Sequence, residues 1–522
     1  MLGGHLQSGE RDQSVARLDE TSLEFARCHI RNFYDSDFFP KRFEFEALWA
    51  NWAEVLDFVT SRDTSDLPAP RPRLMAAPKP GAGYRVVHQL DPIASLIYLA
   101  MAFKVAPALE AVRAPVDQHI ACAYRVAIDA PRGRLFGDST GYEGFVDRCQ
   151  ALARTNPYVL VTDIADFYNQ IYLHRLQNVI ATADAALAEF GNAVEDYLLA
   201  LNARVSKGIP VGPAASIVMA EAVLNDIDQL IQNQGFTHTR YVDDIRVFSD
   251  SDSKLQGLLQ EITTYLYEHH RLTLAGHKTE VLPSEQFVER YLQSPEILEL
   301  QEAHSRLRGL SGRLDFYDAY VDEPWLFEGP PDPTVIQALM AQLVARPRLD
   351  LGLARHILRR CRQYRVRAII PALLPRLDFF APVMPAVILY LDRVTTDGFL
   401  DRNLGAIAAL YDSQAAKYPF VRMWLDHYCS QYRRCMAHPR IRAAVMSGSI
   451  AAQAQGASAL KDIAWVRRHK TEVDNLGPFD RRQVLRASLV LARDERTVWL
   501  RGLLRNECTL VDRLVITYLL AQ

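Results

Sequence analysis

Residues 238–248 read HTRYVDDIRVF, so Asp243 and Asp244 stand side by side between two β-prone runs. That is the pattern of a tight hairpin whose tip carries two carboxylates. Adjacent carboxylates repel, and a turn with no other task is served by Asn-Gly. A third acid, Asp163, ends the apolar run of NPYVLVTDIADFYNQI at 156–171. Three carboxylates gathered on rigid strands are a poor structural choice but a good divalent-metal site. Hard oxygen donors suit Mg²⁺, which takes one or two carboxylates plus substrate phosphates. Two such ions can activate an attacking 3′-hydroxyl and stabilise a departing pyrophosphate. Taken alone, an Asp-Asp pair is more simply a solvated turn, and its surroundings must decide.

The elements that position these acids can be traced along the chain. The run before Asp163 reads as a buried strand delivering the acid at its C-terminal end. A helix is expected over 180–205, another from 213, a hairpin at 238–249 and a helix over 252–270. Residues 271–283, RLTLAGHKTEVLP, read as strand, turn, strand. Residues 60–80 are rich in Pro, Asp and Ser and read as an irregular loop, and 83–110 turn apolar and helical. A second break falls at DEPWLFEGPPDPT, 322–334. Beyond it, segments such as PTVIQALMAQLVARP and LGLARHILRRCRQY repeat apolar positions at helical period with Arg opposite. Successive helices of similar length suggest an α-solenoid, HEAT-like, over a plain bundle. The fold class is therefore α+β followed by an all-α region. The divisions are a flexible N-terminus at 1–20, a mixed domain at 21–300, a transition at 301–334 and a helical domain at 335–522.

The chain has 522 residues, 49% hydrophobic and 23% charged, a globular composition. No run of 18 or more consecutive apolar residues occurs, so no membrane span is expected. The polar N-terminus has no apolar signal-peptide core. Seven scattered cysteines fit a reducing cytoplasm better than a disulfide framework. His427, Cys429, Cys435 and His438 match no standard zinc spacing. The net charge of −3 hides a split. Residues 335–522 hold 29 Lys and Arg against 15 Asp and Glu, a net of +14, which leaves −17 for residues 1–334. Such asymmetry points to a polyanionic partner for the C-terminal part, or to pairing between opposite halves in a homo-oligomer.

Five stretches in order carry a family resemblance over roughly residues 70–295. TDIADFY, KGIPVGPAAS, YVDD and LTLAGHKTE resemble motifs A to D of the reverse transcriptases, and PKPGAGYRVVHQLDPI resembles their fingers segment. The resemblance implies right-hand polymerase fingers and an antiparallel palm sheet with helices. It implies that Asp163, Asp243 and Asp244 hold two Mg²⁺ ions, with Mn²⁺ as an alternative. It places Lys79 and Arg85 on the triphosphate, Gly212 and Ser216 in motif B, and Lys278 as the basic residue of motif D. Tyr168 beneath the nucleotide would clash with a 2′-hydroxyl, favouring dNTPs.

Two departures stand out: Val211 where most members carry Gln, and Ile217 where most carry Pro. The form ending at Glu221 is similar to bacterial abortive-infection and defence-associated reverse transcriptases, which implies a role in antiphage defence. The expected partners are dNTPs, an RNA template or non-coding RNA, and a DNA product. In the C-terminal region, Arg355, Arg359, Arg362 and Arg367 recur at near-helical intervals and could track a phosphate backbone. Two alternatives compete with this reading. One is a degenerate polymerase-fold scaffold that binds RNA. The other is an RNA-synthesising nucleotidyltransferase, which Tyr168 argues against.

Overall fold

The computed structural model describes residues 16–137, 141–293, 330, 332–506 and 508–522. Most of the 1–20 lead-in and of the 301–334 transition lies outside them. Eight strands are present among the described residues. β1 (Arg73–Pro78) and β2 (Tyr84–Gln89) form one hairpin, and β3 (Val126–Asp129) and β4 (Arg134–Phe136) another. β5 (Tyr158–Asp163), β6 (Thr237–Tyr241), β7 (Asp244–Ser249) and β8 (Glu280–Pro283) make an antiparallel sheet in the order β6-β7-β5-β8.

β5 is hydrogen-bonded on both edges, and Val159 to Thr162 are all buried. That is why its sequence is a continuous apolar run rather than an alternating one. The helix expected over 180–205 is two, Leu173–Ala183 and Ala188–Leu201. Asp184 breaks it by accepting a hydrogen bond from the Ala186 N–H at 2.9 Å, a local bond that competes with the helix. Of the two strands expected over 271–283, only β8 forms; Leu274 makes a single bridge to Ile164.

The stretch read as loop and helix at 60–110 is also different. β1 and β2 occupy part of it because Met75, Ala77 and Val87 are buried against C-terminal helices, a long-range contact no local pattern reveals. The helix proper, Pro92–Ala111, starts after Asp91, whose carboxylate accepts from the Ile93 N–H at 3.3 Å. By length and composition this helix could cross a bilayer, which counting consecutive apolar residues did not signal. Here it is buried nearly all round, as an apolar core helix should be.

Two large cores organise the chain. One combines the helices of the N-terminal half with the inner face of the palm sheet, around Leu48, Tyr98, Met219 and Val247. The second is built from helices between Pro333 and Leu460, around Leu353, Leu391 and Trp424, and takes in Phe39 and β1–β2. The final helices leave it: Val484, Leu500 and Leu514 join the first core. Buried Arg482 fixes that return, bonding Asp91 near the front of the chain and Asp512 (2.7 Å to its Oδ1) near the end.

Candidate active site

The sheet brings the three acids together. Asp163, the last residue of β5, lies directly opposite Asp244, the first of β7. β6 and β7 are joined by a two-residue turn, Val242-Asp243, between the paired Tyr241 and Asp244. Val242 has a φ of +56°. For a β-branched residue this is a strained conformation that the surroundings must enforce.

A buried ionic network supplies that enforcement. Arg240 Nη1 donates to the Val242 carbonyl at 3.2 Å and to Glu221 Oε2 at 2.8 Å. Its Nε lies 2.9 Å from both oxygens of Asp228. Arg113 Nη2 shares Glu221 at 2.8 Å, and His238 Nε2 shares Asp228 at 3.0 Å. Burial works against the charge of Asp228, but Arg240 and His238 outweigh it and hold its pKa at about 2. The backbone of Arg240 is tied as well, its N–H to the Ile120 carbonyl and its carbonyl to the Cys122 N–H. Tyr241 is wedged among Tyr124, Tyr142 and Phe145, with ring centroids 5.4–6.4 Å apart.

Charge at the tip is unevenly answered. Lys278 Nζ lies 2.7 Å from Asp163 Oδ2. Arg246, on the same face of β7 as Asp244, grips that carboxylate with both guanidinium nitrogens, Nη2 at 3.0 Å from Oδ2. Asp243 has no salt-bridge partner among the described residues. Burial, then repulsion from Asp163, pushes its pKa up to about 6. Burial also raises the pKa of Asp244, against the pull of Arg246.

Among the described residues no three His, Cys, Asp or Glu side chains form a ready-made metal cage. The donor set still fits a divalent cation. Asp163 and Asp243 are hard oxygen donors with an unanswered negative charge between them, and substrate phosphates ordinarily complete such a shell.

Asp243 gives a pH-dependent prediction. Its folded pKa exceeds the ordinary carboxylate value, so ionising it penalises the fold. The penalty is absent below pH ~4, grows as pH rises toward ~6 and is complete above that. In EDTA, Asp243→Asn should therefore gain about 1–3 kcal/mol of stability at pH 7 and nothing near pH 4. Urea unfolding at the two pH values measures this; an equal shift at both would contradict it.

Other residues expected at the site divide. Tyr168 follows Asp163 by five positions and sits where the two large cores meet. Burial drives its phenol pKa well up, with Tyr124, Glu221 and Asp243 adding to that and Arg85 opposing it. Lys79 and Arg85 are exposed on the β1–β2 hairpin, which the Lys79 N–H closes onto the Gly83 carbonyl at 3.0 Å. Lys278 reaches the acids directly.

Motif B packs inward. Ser216 is fully buried and its hydroxyl lies 3.0 Å from Tyr98 Oη, so it braces the palm. Gly212 was expected to let a base or sugar approach. Its φ is +131°, and a Cβ there would meet Ser36 Oγ at 2.7 Å, so the space it leaves belongs to the N-terminal loop. Gly212→Ala should cost about 1–3 kcal/mol of stability, read as a lower urea midpoint. An unchanged midpoint would count against this role.

The arginine stripe divides among buried, half-buried and exposed positions. It lies on the helix Leu351–Gln363 and just beyond, but it is not one solvated face. Arg362 is buried, and Arg367 donates to the Val394 carbonyl at 2.8 Å and to Thr396 Oγ1 at 3.2 Å. Arg355 and Arg359 are half-buried and engaged within the protein. Burial works against the charge of Arg355, which Asp37 and Tyr124 support and Arg85 opposes. The turn before this helix reaches the β1–β2 hairpin: a Cβ on Gly81 would lie 3.8 Å from Arg348 Nε. Sequence reasoning missed Arg240, Arg246 and the N-terminal loop at Ser36. Strand alternation could have flagged Arg246, two residues beyond Asp244.

Residues 77–292 match the family model described as reverse transcriptase (RNA-dependent DNA polymerase). No curated protein matches the chain. Among solved structures, telomerase from Candida albicans in complex with a TWJ fragment of telomeric RNA aligns at 12% identity and a TM-score of 0.31, covering 72% of this chain and 70% of that one. Apo telomerase from Candida tropicalis aligns at 12% identity and 0.32, covering 73% of each. The family match spans every element that carries the three acids, and residues 77–292 are a reverse transcriptase domain, an RNA-directed DNA nucleotidyltransferase.

Proposed function

We propose that the chain polymerises dNTPs at the cleft between Asp163 and Asp243 on the palm and Lys79 and Arg85 on the fingers. The observation that carries this reading is the pairing of Asp163 with Asp244 across β5 and β7, with Asp243 at the adjoining turn. Asp163 and Asp243 would hold two Mg²⁺ ions. When bound, the two ions supply charge stabilisation to the attacking 3′-hydroxyl and the leaving pyrophosphate.

The protein's own groups do the rest. Lys79 and Arg85 clamp the triphosphate from a hairpin, where positioning lowers the barrier by removing lost motion from the reaction. Lys278 neutralises charge beside Asp163 and is placed to give a proton to the leaving group. Arg246 fixes the Asp244 carboxylate, and Arg240 fixes the turn. Tyr168, buried near Asp243, would exclude a 2′-hydroxyl.

Tyr168→Ala should raise ribonucleotide incorporation relative to deoxyribonucleotide incorporation by at least about tenfold, since a steric clash of about 1.4 kcal/mol is already that factor. Unchanged sugar choice, measured with labelled CTP against dCTP, would remove Tyr168 from this role. An RNA strand is the proposed template. The motif B form GIPVGPAAS supports a bacterial antiphage role. Under that reading, protection of expressing cells from phage is lost in Asp243→Ala, and protection that persists would separate defence from polymerisation.

A further inference from the structure

A cavity of about 690 Å³ opens where the β1–β2 hairpin meets the C-terminal helices. It lies at the open end of that hairpin, where Arg73 pairs with Gln89, whereas Lys79 and Arg85 lie toward the closed end. Its size falls within the roughly 300–1,000 Å³ of small-molecule sites. One wall is the helix Ile450–Leu460, which presents small residues there, among them Ala451, Ala454 and Ser458.

Four cations border the cavity: Lys41, Arg42, Arg73 and Arg486. Arg42 is answered by Glu44. Arg73 and Arg486 form no salt bridge with any described residue, although burial works against the charge of both. Two guanidiniums are fixed by stacking, Arg486 4.8 Å from the Phe43 ring centroid and Arg42 4.5 Å from that of Phe479. Four carboxylates are near. Asp426 is already taken by Arg422 Nε at 2.9 Å, Glu46 is exposed, and Asp480 supports the charge of Arg73 and Glu44 that of Arg486, both from beyond bonding distance. Gln89 and Gln483 add amide groups, while Gln455 is engaged within the wall, donating from Nε2 to Gln483 Oε1 at 3.3 Å and accepting from Ser430 Oγ at 3.0 Å. Two guanidiniums with no carboxylate in bonding distance, Arg486 held by stacking and Arg73 at the strand end, suit phosphate in a recess of this size, and the amides suit the edge of a base.

We infer that this cavity binds a phosphate-bearing small molecule of nucleotide size, with its phosphates on Arg73 and Arg486. The ligand bridges the base of the fingers hairpin and the C-terminal helices, so its binding is coupled to the hairpin that carries the triphosphate clamp. A strand of nucleic acid fits less well, because the recess offers room for about one nucleotide and no continuous stripe of exposed cations.

The test uses the full chain carrying Lys79→Ala and Arg85→Ala, which silences the catalytic clamp, in EDTA. It is titrated calorimetrically with ATP, with inorganic tripolyphosphate, and with a single-stranded RNA dodecamer. The expected result is one saturable ATP site, with tripolyphosphate competing for it. Adding Arg73→Gln and Arg486→Gln should weaken ATP by at least about tenfold, the loss expected of charge-assisted contacts. Ser458→Trp, which fills the recess and keeps its charges, should do the same. Circular dichroism melting identifies any variant that has failed to fold. Three results overturn the inference: no saturable ATP binding, ATP binding unchanged in both folded variants, or binding of the RNA alone. None of these depends on polymerisation, so the site stands or falls separately from the proposed activity.

Discussion

Arg240→Met should destabilise the protein by about 3–5 kcal/mol, the usual cost of removing one partner from a buried ionic network. Arg240 is fully buried and its guanidinium answers Asp228, Glu221 and the Val242 carbonyl together. Methionine fills the space but leaves two carboxylates underpaired in a low-dielectric core. Arg113 and His238 remain to soften the loss. Arg240→Lys keeps the charge but cannot span three partners with a planar fork, so it should recover only part of the stability. Urea unfolding measures both variants. A loss below about 1 kcal/mol would mean the network is not what holds the turn. Because the lost contact includes Val242, polymerase activity should fall further than stability explains in any variant that still folds.

Asp163→Ala and Asp243→Ala should each lower dNTP incorporation by about a thousandfold or more, the scale of removing several kcal/mol of transition-state charge stabilisation. The signature is that activity and stability move apart. Asp243 carries a raised pKa because its charge is buried beside Asp163, so losing it relieves the fold at neutral pH while abolishing the chemistry. A scaffold that merely retains a polymerase shape would show the gain in stability and no loss of function. Asp244 is different again: Arg246 already answers it, and its removal leaves that guanidinium unpaired.

What the sequence made legible follows from how local each signal is. The β6–β7 hairpin and the buried β5 strand are local patterns, and both formed, although the turn is Val242-Asp243 and Asp244 already opens β7. The pairing of Asp163 with Asp244 needed the order of motifs rather than any single one. The role of Gly212 could not be read, because its neighbour Ser36 lies 176 residues earlier. β1 was hidden for the same reason: its buried face is completed by helices beyond residue 333. The arginine stripe misled because spacing on a helix says which residues share a face, not what covers that face. Here Arg362 turned inward and Arg367 capped a neighbouring helix. The division of the C-terminal helices between two cores was likewise beyond a charge count, since Arg482 pairs with Asp91 across 391 residues.

The most direct test is template-dependent synthesis. Purified protein is given Mg²⁺, a DNA primer annealed to an RNA template, and each labelled dNTP in turn, beside the Asp243→Ala variant. The proposed activity predicts incorporation only of the dNTP complementary to the template, and none by the variant. Incorporation that ignores the template would contradict RNA-directed synthesis, and equal incorporation by folded Asp243→Ala would remove the chemistry from this cleft.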